Sequence, residues 1–236
     1  MEICSKILHR VLCKNGARIK LLGDSITHGV GGTGFKQSGD RIVRNYARNP
    51  EGYCWSNQFK KYLEERFDCS VIINACTGTK IEFVIDYFDT LVDDEDDLII
   101  CTIGTNNRHV YHKTGYKPSR EELGTEFYKN IFRLNELLSA RGKDYILVAN
   151  IPASPKNECD HDDFWRILHM DDINAIYKKA QEKLQFPFFS LYDRFSEYLN
   201  ENQILLDDLL RDGLHPNDRG YDVMYQLIMS EFGFTD

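Results

Sequence analysis

No stretch of this sequence is basic enough to track a phosphate backbone, and none is apolar for long enough to cross a membrane. The 29 lysines and arginines are outnumbered by 37 aspartates and glutamates, for a net charge of −8. Nucleic acid is therefore not an expected partner. The opening segment MEICSKILHRVLCKNGARIK is interrupted by Lys6, His9, Arg10 and Lys14, so it offers neither a signal-peptide apolar core nor a span. Seven cysteines are present, an odd number, and no two form a CxxC pair. Several lie inside apolar runs, a pattern of free thiols in a reducing compartment rather than of a disulfide framework or a cysteine zinc site. The expected location is the cytoplasm. Repeats, low-complexity tracts and linkers are also missing, so the 236 residues are expected to form a single domain, 1–236, with its core over about 17–233.

What is present is an alternation of short apolar runs with longer amphipathic ones. RIKLLG (Arg18 to Gly23), VIIN (Val71 to Asn74), LIICTI (Leu98 to Ile103), YILVAN (Tyr145 to Asn150) and FFSL (Phe188 to Leu191) lack strict polar alternation. That is how strands buried on both faces read. Between them, Trp55, Phe59, Tyr62, Leu63 and Phe67 recur at helical spacing, as do Leu123, Phe127, Ile131, Leu134 and Leu138. Further helices are expected over about Ile167 to Leu184 and over Asp218 to Phe232, the latter capped by Asp218. The pattern predicts an α/β protein, with a parallel sheet covered by helices on both faces. The acidic cluster Asp93 to Asp97 carries no calcium-loop spacing and is read as a solvated turn.

LLGDSITHGVGGTGF, residues 21 to 35, can be read in two ways. Gly29, Gly31 and Gly34 have the GxGxxG spacing of a dinucleotide loop. Such a loop needs its first glycine at a strand end and its last inside a helix, and the FKQSGDRIVRNYARNPEGY that follows has no helical period. GVGGTG is accordingly read as a flexible loop. The other reading is a tight Gly23-Asp24-Ser25 turn at the carboxyl edge of a parallel sheet, where open α/β folds bind ligands. A serine there is a nucleophile only if it has partners, since a serine after a strand is also an ordinary helix cap.

RDGLHPNDRGY supplies two such partners. Asp212 and His215 are three residues apart and followed by Pro216, so one turn can present a base and the carboxylate that fixes its tautomer. A capped turn with a surface histidine is the alternative. IGTNN places Asn106 just after the third strand, where its amide can stabilise an oxyanion, and Gly78 after the second strand offers a backbone N–H.

GDSITHG, INACTG, IGTNN and DGLHPNDRGY resemble, in order, the four sequence blocks of the SGNH hydrolases, the GDSL lipase/esterase family. The resemblance implies a three-layer α/β/α sandwich on a five-stranded parallel sheet of order 2-1-3-4-5. It implies Ser25 as nucleophile, His215 as base and Asp212 as its orienting acid, with Ser25, Gly78 and Asn106 forming the oxyanion hole. No metal or organic cofactor is implied. Two departures stand out. The second block has one residue fewer than usual between Asn74 and Gly78, and Asn107 stands where the family often has Asp.

The resemblance implies ester chemistry without naming the ester. The segments RHVYHKTGYK and PASPKNECDHDDFW are polar and aromatic, which suits a sugar better than a long alkyl chain. The expected activity is removal of small acyl groups, acetyl foremost, from a carbohydrate or glycoconjugate. The expected partner is thus a small-molecule or glycan ester, and nothing in the sequence specifies an oligomeric state. Asp24, His28, Arg108 and Trp165 are candidate substrate contacts. His109 and His112, with His161 and His169, lack a recognised zinc spacing and are not assigned to a metal. An acyltransferase with the same triad, a lysophospholipase or thioesterase, a non-catalytic sugar-binding module and a nucleotide-binding protein are the competing readings.

Overall fold

The protein is described from a computed structural model covering residues 2–36 and 51–234; most of the segment after Phe35 discussed above lies outside it. The strands are β1 (Ala17–Gly23), β2 (Cys69–Ala75), β3 (Leu98–Thr102), β4 (His109–Tyr111), β5 (Asp144–Ala149), β6 (Phe164–Arg166) and β7 (Phe188–Ser190). The helices are α1 (Glu2–Leu12), α2 (Ser25–His28), α3 (Trp55–Arg66), α4 (Ile81–Asp86), α5 (Phe88–Leu91), α6 (Arg120–Ala140), α7 (Met170–Leu184), α8 (Leu191–Asn202), α9 (Leu206–Leu209) and α10 (Asp218–Glu231). Five parallel strands form one sheet in the order β2-β1-β3-β5-β7, which is the expected 2-1-3-4-5 arrangement once β4 and β6 are set apart.

Successive side chains on a strand point to opposite faces, and the two cores divide along that rule. Ile19, Leu21, Leu98, Ile100, Ile146 and Val148 pack under α1, α3, α8 and α10. Leu22, Ile99, Cys101, Leu147 and Ala149 face α4, α5, α6 and α7. Each fully buried aliphatic side chain contributes about 1.5–3 kcal/mol relative to exposure, so central strands without polar alternation are stable only between two helical layers.

Four features differ from the sequence reading. Cys4, Ile7, Leu8 and Val11 recur at helical spacing and are buried on α1, an element hidden by the charges on its other face. The α10 cap is Asn217, whose side chain accepts from Gly220 N at 3.1 Å, while Asp218 turns away to Thr33. The β4–β6 pair is a small antiparallel sheet where no strand was expected.

The fourth difference lies in the acidic cluster, a turn whose Asp94 and Glu95 are exposed as expected but whose Asp96 and Asp93 are tied to the sheet. Asp96 is wholly buried and lies 3.0 Å from Lys20 Nζ, itself 2% exposed, and 3.0 Å from Arg18 Nε. Asp93 bridges the same two cations at 2.6 and 2.7 Å. A lysine in the middle of a buried strand requires such partners, because an unpaired charge there has no compensation for lost hydration. All seven cysteines are free thiols, and no helix among the described residues is long and apolar enough to cross a membrane.

Candidate active site

β1 delivers the chain to a turn packed too closely for a side chain at Gly23. A Cβ at Gly23 would lie 2.3 Å from Thr27 Oγ1. Asp24 caps α2 by accepting from Ile26 N at 3.0 Å, and Ser25 is the first residue of that short helix. The Ser25 hydroxyl lies 2.9 Å from His215 Nε2, and His215 Nδ1 lies 2.7 Å from Asp212 Oδ2. The other Asp212 oxygen accepts from the backbone N–H groups of Leu214 (3.0 Å) and His215 (2.8 Å). Burial alone would raise the Asp212 carboxyl, but the His215 ring, the His215 N–H and the Leu214 N–H outweigh it and hold the group well below the usual carboxylate range. An ionised carboxylate only accepts, so Nδ1 carries the imidazole proton and Nε2 is left to accept from the Ser25 hydroxyl. Asp212 thus forms the capped turn and orients the histidine at once.

The glycine-rich loop joins the two ends of the chain. A Cβ at Gly31, where φ is +98°, would meet Pro216 O at 2.4 Å and His215 Cβ at 3.0 Å. Thr33 donates through its N–H and its hydroxyl to the two Asp218 oxygens, each at 2.7 Å. The Tyr221 hydroxyl donates to Val30 O at 2.7 Å. This segment, read from sequence as a flexible loop, is held against the histidine turn on one side and the first turns of α10 on the other.

The expected oxyanion donors lie on neighbouring turns. Thr79 N donates to Cys76 O at 3.3 Å, and Gly78 has a φ of +80°, the conformation that the third position of a type II turn requires. Cys76 N donates to Gly23 O at 3.2 Å, which ties this turn to the serine turn. Asn106 follows Gly104 on a 3-10 turn over Thr105–Arg108 and donates through Nδ2 to Thr79 O at 3.0 Å. Asn107 is buried beneath, accepting from Ile81 N at 3.0 Å and donating to both Glu82 oxygens at 2.8 and 3.0 Å. An aspartate in its place would set two carboxylates against each other.

Four segments far apart in the chain are therefore linked by hydrogen bonds at the carboxyl edge of the sheet, the histidine turn to Ser25, the Gly78 turn to Gly23 and the Asn106 turn to Thr79. The family model of the GDSL-like lipases and acylhydrolases matches residues 21–223, from the end of β1 into α10. The chain belongs to the GDSL-like lipase/acylhydrolase family. As a member of it the protein is a carboxylic ester hydrolase. No curated protein matches it by sequence.

Solved structures similar to this GDSL hydrolase share its fold at low identity. An α/β hydrolase from the metagenome of Lake Arreo, Spain, is 18% identical at a TM-score of 0.68, over 96% of this chain and 99% of that one. An acetylxylan esterase from Geobacillus stearothermophilus is 19% identical at a TM-score of 0.67, over 94% and 96%. A two-domain esterase active on acetylated mannans is 17% identical at a TM-score of 0.63, over 96% of this chain and 51% of that one.

The remaining candidate residues of the GDSL hydrolase are placed unevenly around the site. Asp24 is fully buried, and burial raises its carboxyl against the lowering effect of Thr105, Ile26 N–H, His215 and Arg108. It is a support for the turn rather than a surface for substrate. His28 is 2% exposed, packs edge-on to Phe35 at 5.0 Å, and is pushed down to about 4 by burial. Arg108, considered above as a substrate contact, has no exposed surface. Its guanidinium pairs with Glu158 at 2.6 Å, donates to Asn157 at 3.1 Å and reaches back to Thr105 O at 2.9 Å. Trp165 lies on β6 opposite Val110, with its ring 4.5 Å from that of His112.

His109 accepts from Arg166 Nη1 at 3.3 Å through Nδ1 and is held to about 3, first by burial and then by Lys80, Arg166 and Arg108. Among the described residues no group of three or more His, Cys, Asp or Glu side chains is placed to hold a metal ion.

Asn150 is a supporting residue the sequence reading passed over. It is buried at the end of β5, donates to Thr105 Oγ1 at 3.0 Å and approaches Asp24 Oδ1 at 3.5 Å, linking the serine turn to the Asn106 turn. The available signal was an amide at the carboxyl end of a buried strand, the position that also supplied Asn106.

Proposed function

We propose that this GDSL hydrolase removes small acyl groups, acetyl foremost, from a carbohydrate or glycoconjugate, using Ser25 as nucleophile. The observation that carries the reading is the unbroken chain of hydrogen bonds from the Ser25 hydroxyl through His215 to an ionised Asp212. In the acylation step Ser25 Oγ attacks the ester carbonyl carbon and its proton passes to His215 Nε2. The oxyanion is stabilised by Ser25 N–H, Gly78 N–H and the Asn106 amide, whose second N–H remains after the bond to Thr79. His215 returns the proton to the departing alkoxide as the C–O bond breaks, leaving the acyl group on Ser25. Water, deprotonated by His215, then attacks the acyl carbon, and the Ser25 oxygen leaves with that proton.

Support for a short acyl group on a sugar comes from the aromatic and polar side chains of β4 and β6, and from the fold shared with an acetylxylan esterase and an esterase active on acetylated mannans. Wild type and Ser25→Ala should be compared on p-nitrophenyl esters from acetate to palmitate, with both shown to be folded. A preference for acetate that disappears in the variant supports the proposal. Preference for palmitate, or full activity in the variant, contradicts it.

A further inference from the structure

The turn that carries Gly78 also lines a cavity of about 520 Å³ whose wall continues through Phe83 and Asp86, Val110 of β4, and Leu123 and Glu126 of α6. A volume in this range accommodates a small ligand, since binding pockets typically measure about 300–1,000 Å³. The triad side chains do not line it; it shares with the site described above the Gly78 turn, Cys76 to Thr79, and the Asn107–Glu82 pair beneath it.

Its lining restricts the ligand. Phe83, Val110 and Leu123 give an apolar floor, and Phe83 pairs with the half-exposed ring of Tyr87 at 4.7 Å. Lys80, Glu82, Asp86 and Glu126 bring four ionisable groups to the same space. An alkyl chain filling it would strip water from those charges without replacing their hydrogen bonds. An anionic ligand would meet three carboxylates and one ammonium, and that ammonium already donates to His109 O at 2.8 Å. Glu82 is likewise taken up by the amides of Asn107 and Asn130. Asp86 and Glu126 are the exposed carboxylates.

An apolar, partly aromatic surface beside exposed carboxylate acceptors fits a neutral sugar ring, whose C–H face packs on rings while its hydroxyls donate outward. The small sheet extends this surface. Val110 and Trp165 are directly opposed across β4 and β6, so they share a face, and it is Val110 that lines the cavity. Lys117 Nζ lies 5.8 Å from the centre of the Trp165 ring.

We infer that this cavity is a subsite for a neutral sugar unit next to the acylated one, so that the preferred substrate is an oligosaccharide ester rather than a monosaccharide ester. The inference rests on the esterase reading, and the experiment separates the two. Unacetylated xylotetraose and mannotetraose are titrated calorimetrically into folded Ser25→Ala protein, and then into that protein carrying in addition Glu126→Gln or Phe83→Ala. At least one sugar is expected to bind, and each added substitution to weaken it about tenfold. Glu126→Gln alters an exposed residue and keeps the comparison valid if Phe83→Ala does not fold. Absence of binding by both sugars, or binding unchanged by Glu126→Gln, overturns the subsite. Because this readout needs no turnover, loss of ester hydrolysis by the wild-type protein would count against the reaction and not against the subsite.

Discussion

Asp212 acts on His215 at two places, accepting from its backbone N–H and from its ring, and the second contact decides the tautomer. Replacing Asp212 with Asn allows the amide to donate to Nδ1, which puts the imidazole proton on Nε2 where the Ser25 proton must go. Asp212→Asn is expected to lower kcat by about 10⁴-fold with little change in folding, as for other triads; steady-state rates on p-nitrophenyl acetate beside a thermal melt check this. That Ser25, His215 and Asp212 come together was legible in the sequence from their types and spacing. Orientation was not. Arg108 adjoins Asn107 in the chain yet turns inward to Glu158, a partner fifty positions away that no local pattern announces.

At the scale of elements, Gly31, one of the glycines that suggested a phosphate loop, fits the serine block against the histidine block. Gly31→Ala combines a positive φ with a 2.4 Å approach to Pro216 O, so it must displace the turn that holds His215. The expected result is a fall in kcat on p-nitrophenyl acetate of at least tenfold while most of the melting temperature is kept, since the contact lies at the rim of the fold. Asp96 belongs to the opposite end of the sheet. Asp96→Ala leaves Lys20 in the protein interior with only the partly exposed Asp93 as partner, and urea denaturation should show a loss of about 3–5 kcal/mol with kcat unaltered in the folded fraction. The buried pairing of Asp96 within that run was missed because sequence displays its charge density and not the lysine on a distant strand. The main strands were readable because burial on both faces leaves an apolar run with no polar alternation. α1 escaped because its apolar stripe is interleaved with lysine, histidine and arginine.

For the whole molecule, two buried histidines make stability depend on pH. His28 and His109 are held at about 4 and about 3, below the ordinary 6.5, so between these values the unfolded chain binds protons that the folded one does not. Their contribution is present above about pH 6.5 and is lost progressively as pH falls toward 4. The melting temperature should therefore drop across that window, and His109→Gln should make the drop shallower; an equal slope in wild type and variant would contradict the assignment. The parallel sheet was legible at this scale because short strands alternate with helices, while its order was expected only through the family resemblance. The closure of the site was not, because it depends on contacts such as Thr33 with Asp218 that join the two ends of the chain.

The central claim is that Ser25 is the nucleophile activated by His215. The most direct measurement is to treat the folded protein with a fluorophosphonate, which loses fluoride to an activated serine, and to locate the adduct by peptide mass spectrometry. A single adduct on Ser25, lost in His215→Ala, is the predicted result. An adduct on another residue, or esterase activity that survives with Ser25 unmodified, would contradict it.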